Sequence, residues 1–147
     1  MSGGFTVRQK VYFQHCDPAG IVFYPRYFEM INTVVEEWFA QRIGVPFETL
    51  HRSAAVPTVS INIDFHAPSR HGDVLEFRLK PVRIGRSSVD LAIEAYCEAE
   101  KRVSLKSTLV FTGKGSDRSR SWPDDIRARI SHELNELVKN DAQDHSA

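Results

Sequence analysis

His15-Cys16-Asp17-Pro18-Ala19-Gly20-Ile21-Val22-Phe23-Tyr24-Pro25 is where the chain changes its period. Before it, Phe5, Val7, Val11 and Phe13 alternate with polar residues, so residues 5–13 read as a strand. After it, Tyr27, Ile31, Val34, Val35 and Trp38 recur at spacings of three and four, and Phe28 and Phe39 widen that face. The spacing predicts an amphipathic helix over residues 25–42, about five turns at ~3.6 residues per turn. Between strand and helix, Asp17-Pro18 and Gly20 are turn chemistry. Pro25 suits the first helical position, where its missing N–H costs nothing, and Gly44 is placed to end the helix. The decisive stretch therefore sets one carboxylate, Asp17, in a tight loop that feeds a helix start. Backbone N–H groups there are free to polarise a carbonyl.

Four strand-like segments follow, at residues 57–66, 73–84, 88–99 and 102–112. The third is the clearest, with Val89, Leu91, Ile93, Ala95 and Cys97 at period two. Turn residues separate them at 68–72, 85–87 and 98–101. Consecutive strands with short links predict a meander. Residues 114–121 read as a linker. A last helix is expected over about 123–139, with Ile126, Ile130, Leu134 and Leu137 on one face and Asp124 and Asp125 in its first turn. Residues 140–147 are expected to be a frayed tail. A long helix with a wide apolar face needs a sheet to bury it. The expected fold class is α+β, a five-stranded antiparallel sheet wrapped around one long central helix, plus a C-terminal helix. Open sheet edges would be protected by pairing with a second copy.

The bulk numbers narrow the function classes. At 147 residues, 41% hydrophobic and 26% charged, the chain is an ordinary single domain with room for a core. A formal net charge of +0 gives little support to nucleic-acid binding. No apolar run is long enough to span a bilayer, and residues 1–10 lack the apolar stretch of a signal peptide. Cys16 and Cys97 make neither a metal spacing nor a disulfide framework. His51, His66, His71 and His132 show no metal spacing either. A reduced, cytoplasmic protein without bound metal is expected.

The run from Asp17 to Tyr27, followed by this helix and strand order, closely resembles the 4-hydroxybenzoyl-CoA thioesterase family, a branch of the hotdog-fold acyl-CoA thioesterases. The resemblance covers roughly residues 5–113. It implies a hotdog fold working as a dimer or tetramer, with sites at the subunit interface. It implies that Asp17 is catalytic and that the Tyr24 backbone N–H holds the thioester oxygen. Phe23, Asn32, Thr58, Val59 and Ser60 occupy the positions that would line the acyl pocket. Asn32 aligns with an acidic residue that meets the phenolic hydroxyl in the 4-hydroxybenzoyl enzyme, so another aryl group, or a short or medium acyl chain, is equally expected. Coenzyme A would enter as part of the substrate, with no separate cofactor. Its phosphates suit Arg83, Arg86, Ser87 and Ser88 around Gly85. Lys114, Arg118 and Arg120 are a second basic set.

The chemistry is coherent without a catalytic triad, and no Ser-His-Asp motif is recognisable. A thioester expels a thiolate, whose conjugate acid has a pKa of about 8.5 in cysteine, so little acid help is needed. Asp17 can attack the carbonyl or activate water. The competing reading of Asp17 is a turn former. Asp64 and Asp73 read as strand and turn residues, and Glu29, Glu36 and Glu37 as the polar helix face, although in related hotdog enzymes a helix glutamate is catalytic. His15 and Cys16 precede the acid: His15 could tune it but reads as a strand-end residue that packs or faces solvent, and Cys16 as a small packed side chain. A hotdog dehydratase acting on hydroxyacyl thioesters and a non-catalytic acyl-CoA binder are the alternative functions.

Overall fold

A computed structural model describes residues 4–145 of the chain, with side chains described as far as residue 139. The elements are β1 (Phe5–Lys10), α1 (Tyr24–Trp38), α2 (Phe47–Leu50), β2 (Ala54–Ala55), β3 (Thr58–Phe65), β4 (Val74–Ile84), β5 (Ser88–Cys97), β6 (Glu100–Val110), β7 (Thr112–Gly113) and α3 (Asp124–His145). β1, β3, β4, β5 and β6 form one antiparallel sheet in the order β1-β4-β5-β6-β3, and β2 pairs with β7 beside it. This is the hotdog arrangement expected from the sequence.

The apolar stripe of α1 lies against that sheet. Tyr27, Met30, Ile31, Val34, Val35 and Trp38 are buried on the helix. They meet the inward residues of the strands, which alternate as period-two patterning requires: Leu75, Phe77 and Leu79 on β4, and Val89, Leu91, Ile93 and Ala95 on β5. The helix differs from expectation at both ends. It begins at Tyr24, so Pro25 takes the second helical position. Beyond Trp38 it loosens into a π-helical turn, Phe39–Ile43, and stops at Gly44, whose φ of +81° a side chain would strain.

The strand order corrects the simple meander. β4, β5 and β6 follow one another, but β3 lies beside β6 at the far edge rather than beside β4. Residues 66–73 therefore cross the end of the sheet beneath β6 and β5. Their length was the clue, since hairpin loops usually take about 2–5 residues. The expected tail is also corrected. α3 continues through residues 140–145, and residues 146–147 lie outside the described part. α3 packs on β4 and the π-helical turn, with Ile126 and Ile130 buried.

The β5–β6 hairpin turns tighter than expected, with Cys97 opposite Glu100 and only Glu98 and Ala99 between them. Glu98 has φ +54°, the left-handed region that favours glycine. Glu98→Gly is expected to raise stability by about 1 kcal/mol. The gain should read as a higher urea midpoint with unchanged m-value.

Candidate active site

The loop into α1 folds back on itself. Asp17 N–H donates to the Ile21 carbonyl at 2.9 Å, and Phe23 N–H to the His15 carbonyl at 2.9 Å. Cys16 and Val22 form the bridge between them. Residues 15–17 thus run antiparallel to residues 21–23, and Asp17 and the start of α1 share one small unit. Gly20 turns the corner at φ +82°.

Asp17 does the turn-forming work that its position before proline suggests. Its Oδ1 accepts the Ala19 N–H at 2.9 Å, and its carbonyl accepts the Gly20 N–H at 2.9 Å. Its Oδ2 has no partner among the described residues. His15 is turned away from the acid: its Nδ1 accepts the Tyr12 N–H at 2.9 Å.

The start of α1 leaves one donor unused. The N-cap is Phe23, which has no side-chain oxygen to cap with, and its own N–H is taken by His15. Pro25 has no N–H. Arg26 N–H turns back to the Phe23 carbonyl at 2.8 Å. Tyr24 N–H is left without an acceptor among the described residues, at the positive end of the helix dipole. Phe23, Tyr24 and Phe65 form an exposed aromatic run beside it, with ring centroids 5.5 Å and 6.3 Å apart.

The expected acyl-pocket residues divide. Asn32 and Thr58 line an open cleft of about 570 Å³ together with Phe47, His51, Pro57 and Gly113. Val59 and Ser60 lie on the exposed edge strand β3, beside a bulge, and Phe23 stays at the helix start. The expected coenzyme residues also lie apart from Asp17. The Arg83–Ser88 hairpin is at the far end of β4 from the crossing loop, roughly 34 Å at ~3.4 Å per residue. One chain does not bring the two sets together.

That far end is more ordered than a solvated turn. Arg127 Nη2 donates to the Gly85 and Arg86 carbonyls at 2.8 and 2.9 Å. Trp122 N–H donates to the Arg86 carbonyl at 3.0 Å, and Arg86 Nε to Ser121 Oγ at 2.9 Å. Arg120 N–H reaches Phe111, whose own N–H reaches the Ser87 carbonyl at 2.7 Å. Arg120 of the second basic set is therefore tied to the same end of the molecule. The Arg120 guanidinium lies against Gly113, where a Cβ would sit 2.7 Å from it.

The rival acids have other partners or settings. Glu29 pairs with Arg26 at 2.6 Å on the solvent side of α1, and Glu37 accepts from Gln41. Glu36 is exposed, as is Asp64 opposite Ser104 on β3. Asp73 belongs to a polar cluster that sequence reading missed. Arg102 Nη1 donates to Asp73 Oδ2 at 2.8 Å, the Pro68 carbonyl at 3.0 Å and Ser69 Oγ at 3.1 Å. Tyr27 donates its hydroxyl to Ser69 Oγ at 2.9 Å. The Arg70 N–H and then Arg102 hold the Asp73 carboxyl below its usual range, and burial pushes the Tyr27 phenol up. The signal was Tyr27 itself, since a tyrosine on a buried helix face needs a partner for its hydroxyl. Among the described residues no group of three His, Cys, Asp or Glu is placed to hold a metal. No helix of the described residues is long and apolar enough to cross a membrane.

Comparison with known proteins bears on the fold and the family. A 1,4-dihydroxy-2-naphthoyl-CoA hydrolase from Nostoc punctiforme is 31% identical over 124 residues, 83% of each chain. A 4-hydroxybenzoyl-CoA thioesterase from Pseudomonas sp. strain CBS-3 is 33% identical over 79 residues, 51% of this chain and 55% of that one. The crystal structure of a 1,4-dihydroxy-2-naphthoyl-CoA thioesterase from Synechocystis superposes with a TM-score of 0.80, at 22% identity, over 88% of this chain and 96% of that one. The family model of the thioesterase-like superfamily matches residues 11–130. A match over that much of the sequence, on a hotdog framework, makes the chain a member of the thioesterase-like superfamily.

Proposed function

We propose that the protein hydrolyses an acyl-CoA thioester to the free acid and coenzyme A, with Asp17 and the Tyr24 N–H as its working groups. The observation that carries the reading is the single unused donor at the start of α1, on the same small loop as the free Oδ2 of Asp17. In the reaction the thioester oxygen accepts the Tyr24 N–H, which stabilises the negative charge that develops there. By one route Asp17 Oδ2 bonds to the carbonyl carbon, the C–S bond breaks, and coenzyme A leaves as thiolate. Water then hydrolyses the mixed anhydride. By the other route Asp17 takes a proton from the water that attacks.

Relatives named for hydroxyaryl-CoA substrates favour an aryl acyl group here too. Asn32, uncharged, can give or accept a hydrogen bond at a ring hydroxyl. A thiol-release assay across aryl-, alkanoyl- and hydroxyacyl-CoA esters tests both levels of the proposal. Asp17→Asn is expected to lower kcat roughly 10²- to 10⁴-fold with the fold intact. Near-normal turnover in that variant would falsify the assignment.

The working form is proposed to be a dimer. β3 is an edge strand with exposed Val59, Ile61 and Phe65, and such an edge is a template for a second copy. Antiparallel pairing of two β3 strands would carry each partner's Arg83–Ser88 hairpin to the end where this chain's Tyr24 lies. Ile61→Lys is expected to shift sedimentation towards monomer and to abolish turnover. Arg86→Ala should raise KM about tenfold for CoA esters and far less for pantetheine esters, since a charge-assisted phosphate contact is lost. Mixing the Asp17→Asn and Arg86→Ala chains should regain low-substrate activity through hybrid sites. A mixture no more active than its components would argue against sites shared between subunits.

A further inference from the structure

The Asp17 loop that leads into the Tyr24 amide is held within itself only by the pairing of residues 15–17 with residues 21–23. Segment 16–23 is loop, and its outer residues are exposed. What holds it is the crossing loop. Val22 N–H donates to the Ser69 carbonyl at 2.8 Å, and Ile21 bridges to Arg70. On the other side of the helix start, Tyr27 donates to Ser69 Oγ at 2.9 Å. Ser69, fully buried, thus grips both the strand that enters α1 and the first turn of α1.

Ser69 is itself held from the sheet. Arg102 stands at the start of β6 with its side chain only 12% exposed. One nitrogen, Nη1, donates to Pro68, Ser69 and Asp73, the beginning and end of the crossing loop. Nε lies 2.6 Å from Glu100 Oε1 as an ion pair without hydrogen-bond geometry. Asp73 Oδ2 also accepts the Arg70 N–H at 2.9 Å, which closes the loop on itself. A chain of short contacts therefore runs from the sheet through Arg102 and Ser69 to Val22 and Tyr27, the two residues that bracket the Tyr24 amide. A charged group nearly out of water is costly unless paired, and this one is used at both ends of a loop whose only β-bridge among the described residues is the one from Arg70 to Ile21.

We infer that Arg102, acting through Ser69, is a positioning residue that fixes the aim of the Tyr24 N–H. The inference rests on the thioesterase reading of the Tyr24 site. An oxyanion donor works only within a few tenths of an ångström of its mark, and it acts on the thioester oxygen common to every substrate. Loosening Arg102 should therefore lower kcat, leave KM alone, and do so by the same factor for every acyl group. A residue lining the acyl cleft, such as Asn32, would act unequally across acyl groups.

The test uses three variants of the full chain. Arg102→Met combined with Asp73→Asn removes the clamp without leaving the half-buried Asp73 carboxylate short of its cation. Tyr27→Phe removes one hydroxyl. Arg102→Lys keeps a positive charge and offers three N–H groups on one nitrogen where Nη1 has two. The double variant is expected to lose roughly tenfold or more in kcat, with KM within twofold, equally for aryl- and alkanoyl-CoA. Tyr27→Phe should lose less, and Arg102→Lys should recover part of the loss. A second readout needs no substrate: the ¹⁵N–¹H resonance of Tyr24 should shift in Tyr27→Phe and Arg102→Lys while that of Leu91 in β5 stays put. An unmoved Tyr24 resonance, an unchanged kcat, or a loss confined to KM overturns the inference. A wild-type protein that hydrolyses no thioester would instead remove the function, and the resonance would still decide whether Arg102 holds Tyr24. If the double variant does not fold, Arg102→Lys and Tyr27→Phe carry both readouts.

Discussion

One helix buried against one sheet sets every other feature of this protein. The apolar stripe from Tyr27 to Trp38 takes up the interior that five strands can enclose. Burial of that stripe contributes about 1.5–3 kcal/mol for each large side chain removed from water. It also excludes substrate from the middle of the molecule. What remains for chemistry is the helix start, the open cleft beside α1 and the free sheet edges.

The helix start is well suited because it is poorly capped by its own residues. A serine or aspartate at the position of Phe23 would bond the first-turn amides and satisfy the helix. Phe23 cannot, Pro25 has nothing to donate, and Arg26 is spent on Phe23. A small local cost in helix stability thus leaves one aimed donor. The polar cluster around Arg102 carries the matching burden: it supplies from the sheet the fixation that the loop lacks.

Much of this was legible in the sequence because it is periodic. The period-two run of β5 and the three-and-four spacing of α1 report directly on which face is buried, and in both elements the buried face is the one that spacing gives. The Asp17 turn was legible from Asp-Pro and Gly20. What escaped is what periodicity does not encode. The place of β3 beside β6 depends on a loop crossing the sheet end, and only the length of residues 66–73 hinted at it. The separation of Arg83–Ser88 from Asp17 follows from that topology and from no local pattern. Arg102 carries no local signal in the sequence, because its partners Pro68, Ser69 and Asp73 lie some thirty residues earlier. The coarse position of the acid and the amide was readable, and the means of holding them was not.

The crossing of residues 66–73 also bears on how the chain assembles. The β4-β5-β6 meander is built from neighbours in sequence and closes only short loops, which makes it the natural early structure. β1 meets β4 across half the chain, and β3 reaches β6 only by spanning the finished meander. Both long closures cost more entropy before any contact repays it. Segment 16–23 follows β1, and its clamp follows β3, so the helix-start geometry exists only once both late edges are in place. A chain caught with its meander formed and its edges open would look largely folded to a probe of β-structure while having no organised site.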